Sequence, residues 1–165
     1  MQQSHGGIKN EMMEATFKTW KTSRALLVKY LDDYSLTQLN YIPKGFNNNL
    51  IWNIGHIVVI QQRLAYEGAG LAPHVSSEYF EQYQGGTKPE GKATQQEVDE
   101  LKQLLKSLVE QTEADFNNGV LQSQSYKERT TGTGFHLSSI QDALEFNNYH
   151  EAMHLGAMMA IRKFV

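Results

Sequence analysis

The chain has 165 residues, with 15 Lys and Arg against 18 Asp and Glu, a formal net charge of −3 and no cysteine. Without a basic run there is no surface to neutralise phosphates, so a nucleic-acid partner is not expected. Without cysteine there are no disulfides, thiolate ligands or cysteine nucleophile, and any metal must be held by His, Asp or Glu. The length is that of a single domain, 1–165, long enough to bury a core without cross-links.

The N-terminal stretch "MQQSHGGIKNEMMEATF" has no apolar core of the kind a signal peptide needs, and residues 1–9 are read as a flexible tail. No apolar run approaches the roughly 18 residues of a membrane span, so a cytoplasmic location with no membrane partner is expected. The first predicted helix runs from about Asn10 to Tyr34, with Met13, Phe17, Trp20, Leu27 and Leu31 recurring near a 3.6-residue period. The second follows "KGFNNN", where an Asn is a natural N-cap, and reads "LIWNIGHIVVIQQRLAYEG" up to Gly68. It is apolar nearly all round, as expected of a helix packed on several sides.

The third begins at Thr94, which forms a capping-box pattern with Glu97. Val98, Leu101, Leu105, Leu108 and Thr112 continue it to the stop at Asn117-Asn118-Gly119. The fourth spans about Leu137 to Lys163, its seam formed by Leu137, Ile140, Leu144, Asn147, His150 and Glu151, His154, Met158 and Ile161. Long Gly-rich connections, "GAGLAPHVSSEYFEQYQGGTKPEGKA" and "NNGVLQSQSYKERTTGTGFH", separate helices two from three and three from four. Loops of that length in a compact domain are usually functional or mobile. Four long helices without a convincing strand predict an all-α four-helix bundle, and the long connections argue against a simple up-down-up-down order.

Chemistry is concentrated in the histidines. His5 lies in the tail and His74 in a loop, and both are read as solvated. His136 is read as a helix-entry residue. His150 and His154 are four apart, so they share a helix face, and that face is the apolar seam. Two buried neighbouring imidazoles need a metal or a hydrogen-bond network to offset their burial. Two satisfied core histidines would be the alternative.

"HEAMH" also has the His-Glu-x-x-His spacing of zinc peptidases. Those enzymes take a third ligand from downstream, and "LGAMMAIRKFV" contains no His, Asp or Glu. A peptidase is therefore disfavoured. The third ligand is sought upstream, where His56 is the odd polar residue in helix two and Gly55 beside it permits a close neighbour. Three imidazoles holding one ion leave coordination positions open for chemistry.

Glu151 and Asn147 are the candidate catalytic residues. Glu151 is either a general base, a partner of a ligand or a solvated helix residue. Asn147 either orients a ligand or bound water, or fixes helix register. Arg63 is a candidate for a substrate carboxylate or a surface arginine, and Trp52 for a pocket wall or a core aromatic. Tyr79, Tyr83 and Tyr126 lie in loops able to cover the open side.

These residues resemble a known family. "NNLIWNIGHIVVIQQRL", followed far downstream by "DALEFNNYHEAMHLGAMMAIRKF", is similar to the DinB-like superfamily, with Trp-x-x-x-His at Trp52 and His56 and His-x-x-x-His at His150 and His154. The resemblance implies a bundle in up-down-down-up order that binds a divalent metal, zinc or nickel, at His56, His150 and His154. It further implies a homodimer acting on a small-molecule substrate as a metal-dependent transferase or hydrolase, with a low-molecular-weight thiol as co-substrate. The alternative is a non-catalytic metal-binding stress-response or dimeric scaffold module.

Overall fold

The computed structural model describes the backbone of residues 4–165 and the side chains from residue 11 onward. Six α-helices follow in order: α1 (Ser4–Asp33), α2 (Leu36–Asn40), α3 (Leu50–Gln62), α4 (Ser77–Tyr83), α5 (Gln95–Asn117) and α6 (Ile140–Ile161). The long helices α1, α3, α5 and α6 make the bundle. α1 packs on α5 and α6, and α3 packs on α6. The all-α architecture expected from the periodicity is present. Among the described residues no helix is long and apolar enough to cross a membrane.

Helix α1 begins at Ser4 rather than Asn10. The helix runs through the Gly6-Gly7 pair, ahead of Met13, where the apolar period begins. Part of the tail read over residues 1–9, residues 1–3, lies outside the described residues, as does the side chain of His5. Helix α3 starts where expected: the Asn49 side chain accepts from the Trp52 N–H at 2.8 Å. It continues as a π-helical turn over Arg63–Glu67 and stops at Gly68. Gly68 has φ −62°, so the stop needs no left-handed residue there. What requires glycine is Tyr126, whose ring would lie 2.5 Å from a Cβ at that position. Thr94 and Glu97 form the expected capping box on α5.

Three features correct the sequence reading. Two short helices lie in the connections between the long ones. α2 is opened by a capping box of Ser35 and Gln38, and α4 sits inside the long second connection. Both are too short to show a helical period. The third connection holds a small antiparallel ladder pairing Arg129 with Leu137 and Thr130 with His136. His136 is thus an exposed strand residue, Nε2 3.5 Å from Glu128, and not a helix-entry residue. The hairpin turn, with Gly134 at φ 90°, holds it out of the helix. α6 starts at Ile140, where Ser139 accepts from the Asp142 N–H at 3.1 Å.

The core is divided. One apolar cluster gathers Leu27, Leu31, Leu50, Ile54, Val58, Leu101, Leu105, Met158 and Ile161. A second gathers Phe17, Trp20, Leu64, Tyr66, Val109, Ile140 and Leu144. In sequence, Arg24 lies between the clusters on α1, Gln61 on α3, and Asn147, His150 and Glu151 on α6. All five are buried. The bundle therefore carries a polar layer across its middle, and the histidines belong to it.

Candidate metal centre

His56 on α3 and His150 and His154 on α6 come together. Each offers one ring nitrogen within 4.8 Å of the others. His56 and His150 are buried and His154 is partly exposed. Among the described residues no further His, Asp or Glu joins this group. His74 is outside it, in a loop against the edge of the Tyr66 ring, and so is His136.

The second nitrogens reveal the tautomers. His56 Nδ1 lies 2.7 Å from the backbone carbonyl of Tyr83. A carbonyl only accepts, so Nδ1 carries the proton and Nε2 of the neutral ring presents a free lone pair. His154 Nδ1 lies 2.8 Å from Asn53 Oδ1. Asn53 Nδ2 donates to the Asn49 carbonyl at 2.7 Å, which fixes which amide atom faces His154. His154 Nδ1 is therefore also a donor, and its Nε2 is free.

His150 Nε2 sits 3.3 Å from His56 Nε2. With the His56 lone pair facing it, that contact requires a proton or a cation between the two nitrogens. His150 Nδ1 is buried without a protein partner. Burial holds all three rings below the usual imidazole range: His56 is lowered, His150 falls to about 3 and His154 to about 4, with the neighbouring imidazoles adding to the shift on the last two. All three are thus neutral at pH 7, the form that ligates metals. The donor set fits a borderline divalent ion: three neutral imidazoles, two of them oriented by an oxygen acceptor on the far nitrogen.

The surroundings explain why these rings are held so closely. The Trp52 ring stacks on His56 with centroids 4.8 Å apart and planes at 12°, and its Nε1 donates to Thr87 at 3.1 Å. Trp52 is thus both core aromatic and site wall. A Cβ at Gly55 would meet the Tyr83 ring at 2.4 Å, so glycine there lets α4 approach and deliver the Tyr83 carbonyl. The close neighbour expected at Gly55 is this segment of the second connection. Tyr79 bonds Glu100 and Tyr126 bonds the Leu64 carbonyl; of the three loop tyrosines, Tyr83 touches the site. A cleft of about 1020 Å³ lies alongside, lined by Trp52, Tyr83, Thr87 and Lys88, but none of the three histidines lines it.

Glu151 is neither solvated nor free to act as a base. It is fully buried, and its carboxylate accepts from Trp20 Nε1 at 2.6 Å, Arg24 Nη2 at 2.7 Å and Asn147 Nδ2 at 2.8 Å. Those contacts remove the peptidase role of the Glu in "HEAMH". Asn147 supports Glu151, which fits a residue that fixes packing. Arg63 is half-buried, paired with Glu67 at 3.2 Å and Gln84 at 3.3 Å and stacked over Phe80. Asn53, the Tyr83 carbonyl, Arg24 and Gln61 were not singled out from the sequence. The available signal was position: Arg24 falls between Trp20 and Leu27 on the apolar stripe of α1, and Gln61 interrupts the apolar run of α3.

A family model described as the DinB superfamily matches residues 19–158, most of the chain. No curated protein matches the sequence.

Proposed function

The chain belongs to the DinB superfamily, and from that membership and the histidine centre we propose that it binds one divalent transition-metal ion, zinc or nickel, through His56, His150 and His154. We propose further that it is a metal-dependent transferase or hydrolase for a small molecule, with a low-molecular-weight thiol as co-substrate. The observation that carries the reading is the pair of oriented tautomers. The Tyr83 carbonyl and Asn53 Oδ1 each accept a hydrogen bond from the Nδ1–H of a histidine and so leave its Nε2 lone pair free for an ion. A satisfied core histidine also bonds one ring nitrogen; what favours ligation is that the nitrogens of three such rings lie within 4.8 Å of one another.

An ion held there supplies a Lewis-acid centre that acidifies a bound thiol or water. The chain's part is to keep three imidazoles neutral, to fix their direction and to leave the remaining positions to solvent or substrate. Three protein ligands rather than four is the pattern of a catalytic centre. The absence of cysteine fits a thiol brought by a co-substrate.

Cobalt(II) substitution tests both parts. The cobalt-loaded protein is expected to show a visible spectrum with solvent among the ligands, and millimolar glutathione, used as the probe thiol, is expected to add a sulfur-to-cobalt charge-transfer band. A cobalt spectrum unmoved by thiol would refute the thiol-dependent activity and leave a metal-binding module. Failure to take up cobalt, zinc or nickel would refute the metal reading altogether.

A further inference from the structure

The two helices that carry the histidines are tied together by one side chain from a third. Arg24 on α1 is 1% exposed. Its Nε and Nη2 reach the Glu151 carboxylate on α6 at 3.0 and 2.7 Å, and Nη2 also reaches Gln61 Oε1 on α3 at 3.2 Å. Glu151 directly follows His150. Gln61 lies five residues after His56 on the same helix. The Gln61 amide cannot turn away, because Nε2 donates to Thr112 Oγ1 at 2.9 Å and to the Leu108 carbonyl at 3.2 Å. Among the described residues this is the ion pair with both side chains essentially inaccessible to solvent, at 1% and 0%.

Stability alone does not explain such a pair. Desolvating two charges offsets most of their attraction, and well-packed apolar residues of similar size often serve as well or better. What a buried planar fork offers is geometry: donors in fixed directions, of which Nε and Nη2 satisfy two partners in one arrangement while Nη1 has no protein partner. Here the two partners sit on the two ligand-bearing helices. Slippage or rotation of α6 against α3 breaks one arm of the fork, and the same motion changes the separation of His56 from His150 and His154.

We infer that Arg24 is a positioning residue of the metal centre: with Glu151 and Gln61 it sets the register of α3 against α6, and so the spacing of the three Nε2 atoms. It touches neither metal nor substrate and acts through the helices. The inference rests on the metal-binding reading above.

The test is Arg24→Lys, which keeps the charge beside Glu151 but cannot satisfy both partners as the planar fork does. The variant and the wild type are titrated with zinc and loaded with cobalt, and far-UV circular dichroism checks the fold. A folded Arg24→Lys protein with zinc affinity down at least tenfold, the range seen when the outer partners of metal ligands are removed, and with an altered cobalt spectrum is the expected result. Arg24→Met combined with Glu151→Gln, which removes both charges, is read the same way if the lysine variant does not fold. Wild-type affinity and an unchanged cobalt spectrum in a folded variant would overturn the positioning role while leaving the metal site intact. A wild type that binds no metal would instead overturn the reading beneath it.

Discussion

Glu151→Ala is expected to destabilise the protein by about 3–5 kcal/mol, the cost of leaving a buried charge without its partner. The loss is large because four groups depend on that carboxylate. The Arg24 guanidinium loses its counter-charge, and the Trp20 N–H, the Asn147 amide and the Ser23 hydroxyl, at 3.4 Å, lose an acceptor. Domains of this kind are stable by only about 5–15 kcal/mol, so the change removes a large share of the total and lowers the urea midpoint accordingly. Glu151→Gln is expected to lose less, since its amide oxygen still accepts from Trp20. The Arg63–Glu67 pair, with Glu67 exposed and Arg63 half-buried, is the contrast, because ion pairs open to solvent contribute about 1 kcal/mol or less. A urea midpoint for Glu151→Ala within error of the wild type would contradict the buried network.

The second expectation concerns acid. The folded-state pKa of His150 is lowered from 6.5 to about 3, first by burial and then by His154, His56 and Arg24. His154 is lowered to about 4 for the same leading reason. Above pH 6.5 these rings are neutral in both folded and unfolded chains and leave stability unchanged. Below 6.5 the unfolded chain takes up protons that the folded chain refuses, so metal-free stability falls with pH until the folded rings titrate in turn. For His150 alone the loss at pH 4 is on the order of 3 kcal/mol. His150→Leu is expected to flatten the acid limb of a stability-against-pH curve and to abolish metal binding. An acid limb unchanged in that variant would mean that His150 is not held neutral in the fold.

Much of this was legible in the sequence because helix period and burial coincide. The stripe Met13, Phe17, Trp20, Leu27 and Leu31 is buried as its spacing required, and so is the seam of α6 from Ile140 to Ile161 apart from the partly exposed His154. His56, His150 and His154 were legible for the same reason: each is a polar residue on a face that has to be buried. Glu151 was harder. One position from His150 on the helix, it lies 100° around the axis, and whether that direction is solvent or α1 depends on how the helices pack. Arg24 is the partner that decides it, and pairing between residues 127 positions apart leaves no local signal. The Tyr83 carbonyl was invisible for a different reason, since a backbone acceptor has no residue type. The short helices α2 and α4 and the hairpin near His136 were missed because two to seven residues carry too little period to read.

The central claim is that His56, His150 and His154 hold one metal ion. The most direct measurement is the metal content of protein purified without a polyhistidine tag and without added metal, alongside His56→Ala and His150→Ala, each checked for fold by circular dichroism. Near one transition-metal ion per chain is expected in the wild type, and its loss in both folded variants. A wild-type protein that is metal-free and takes up neither zinc nor nickel on dialysis would contradict it.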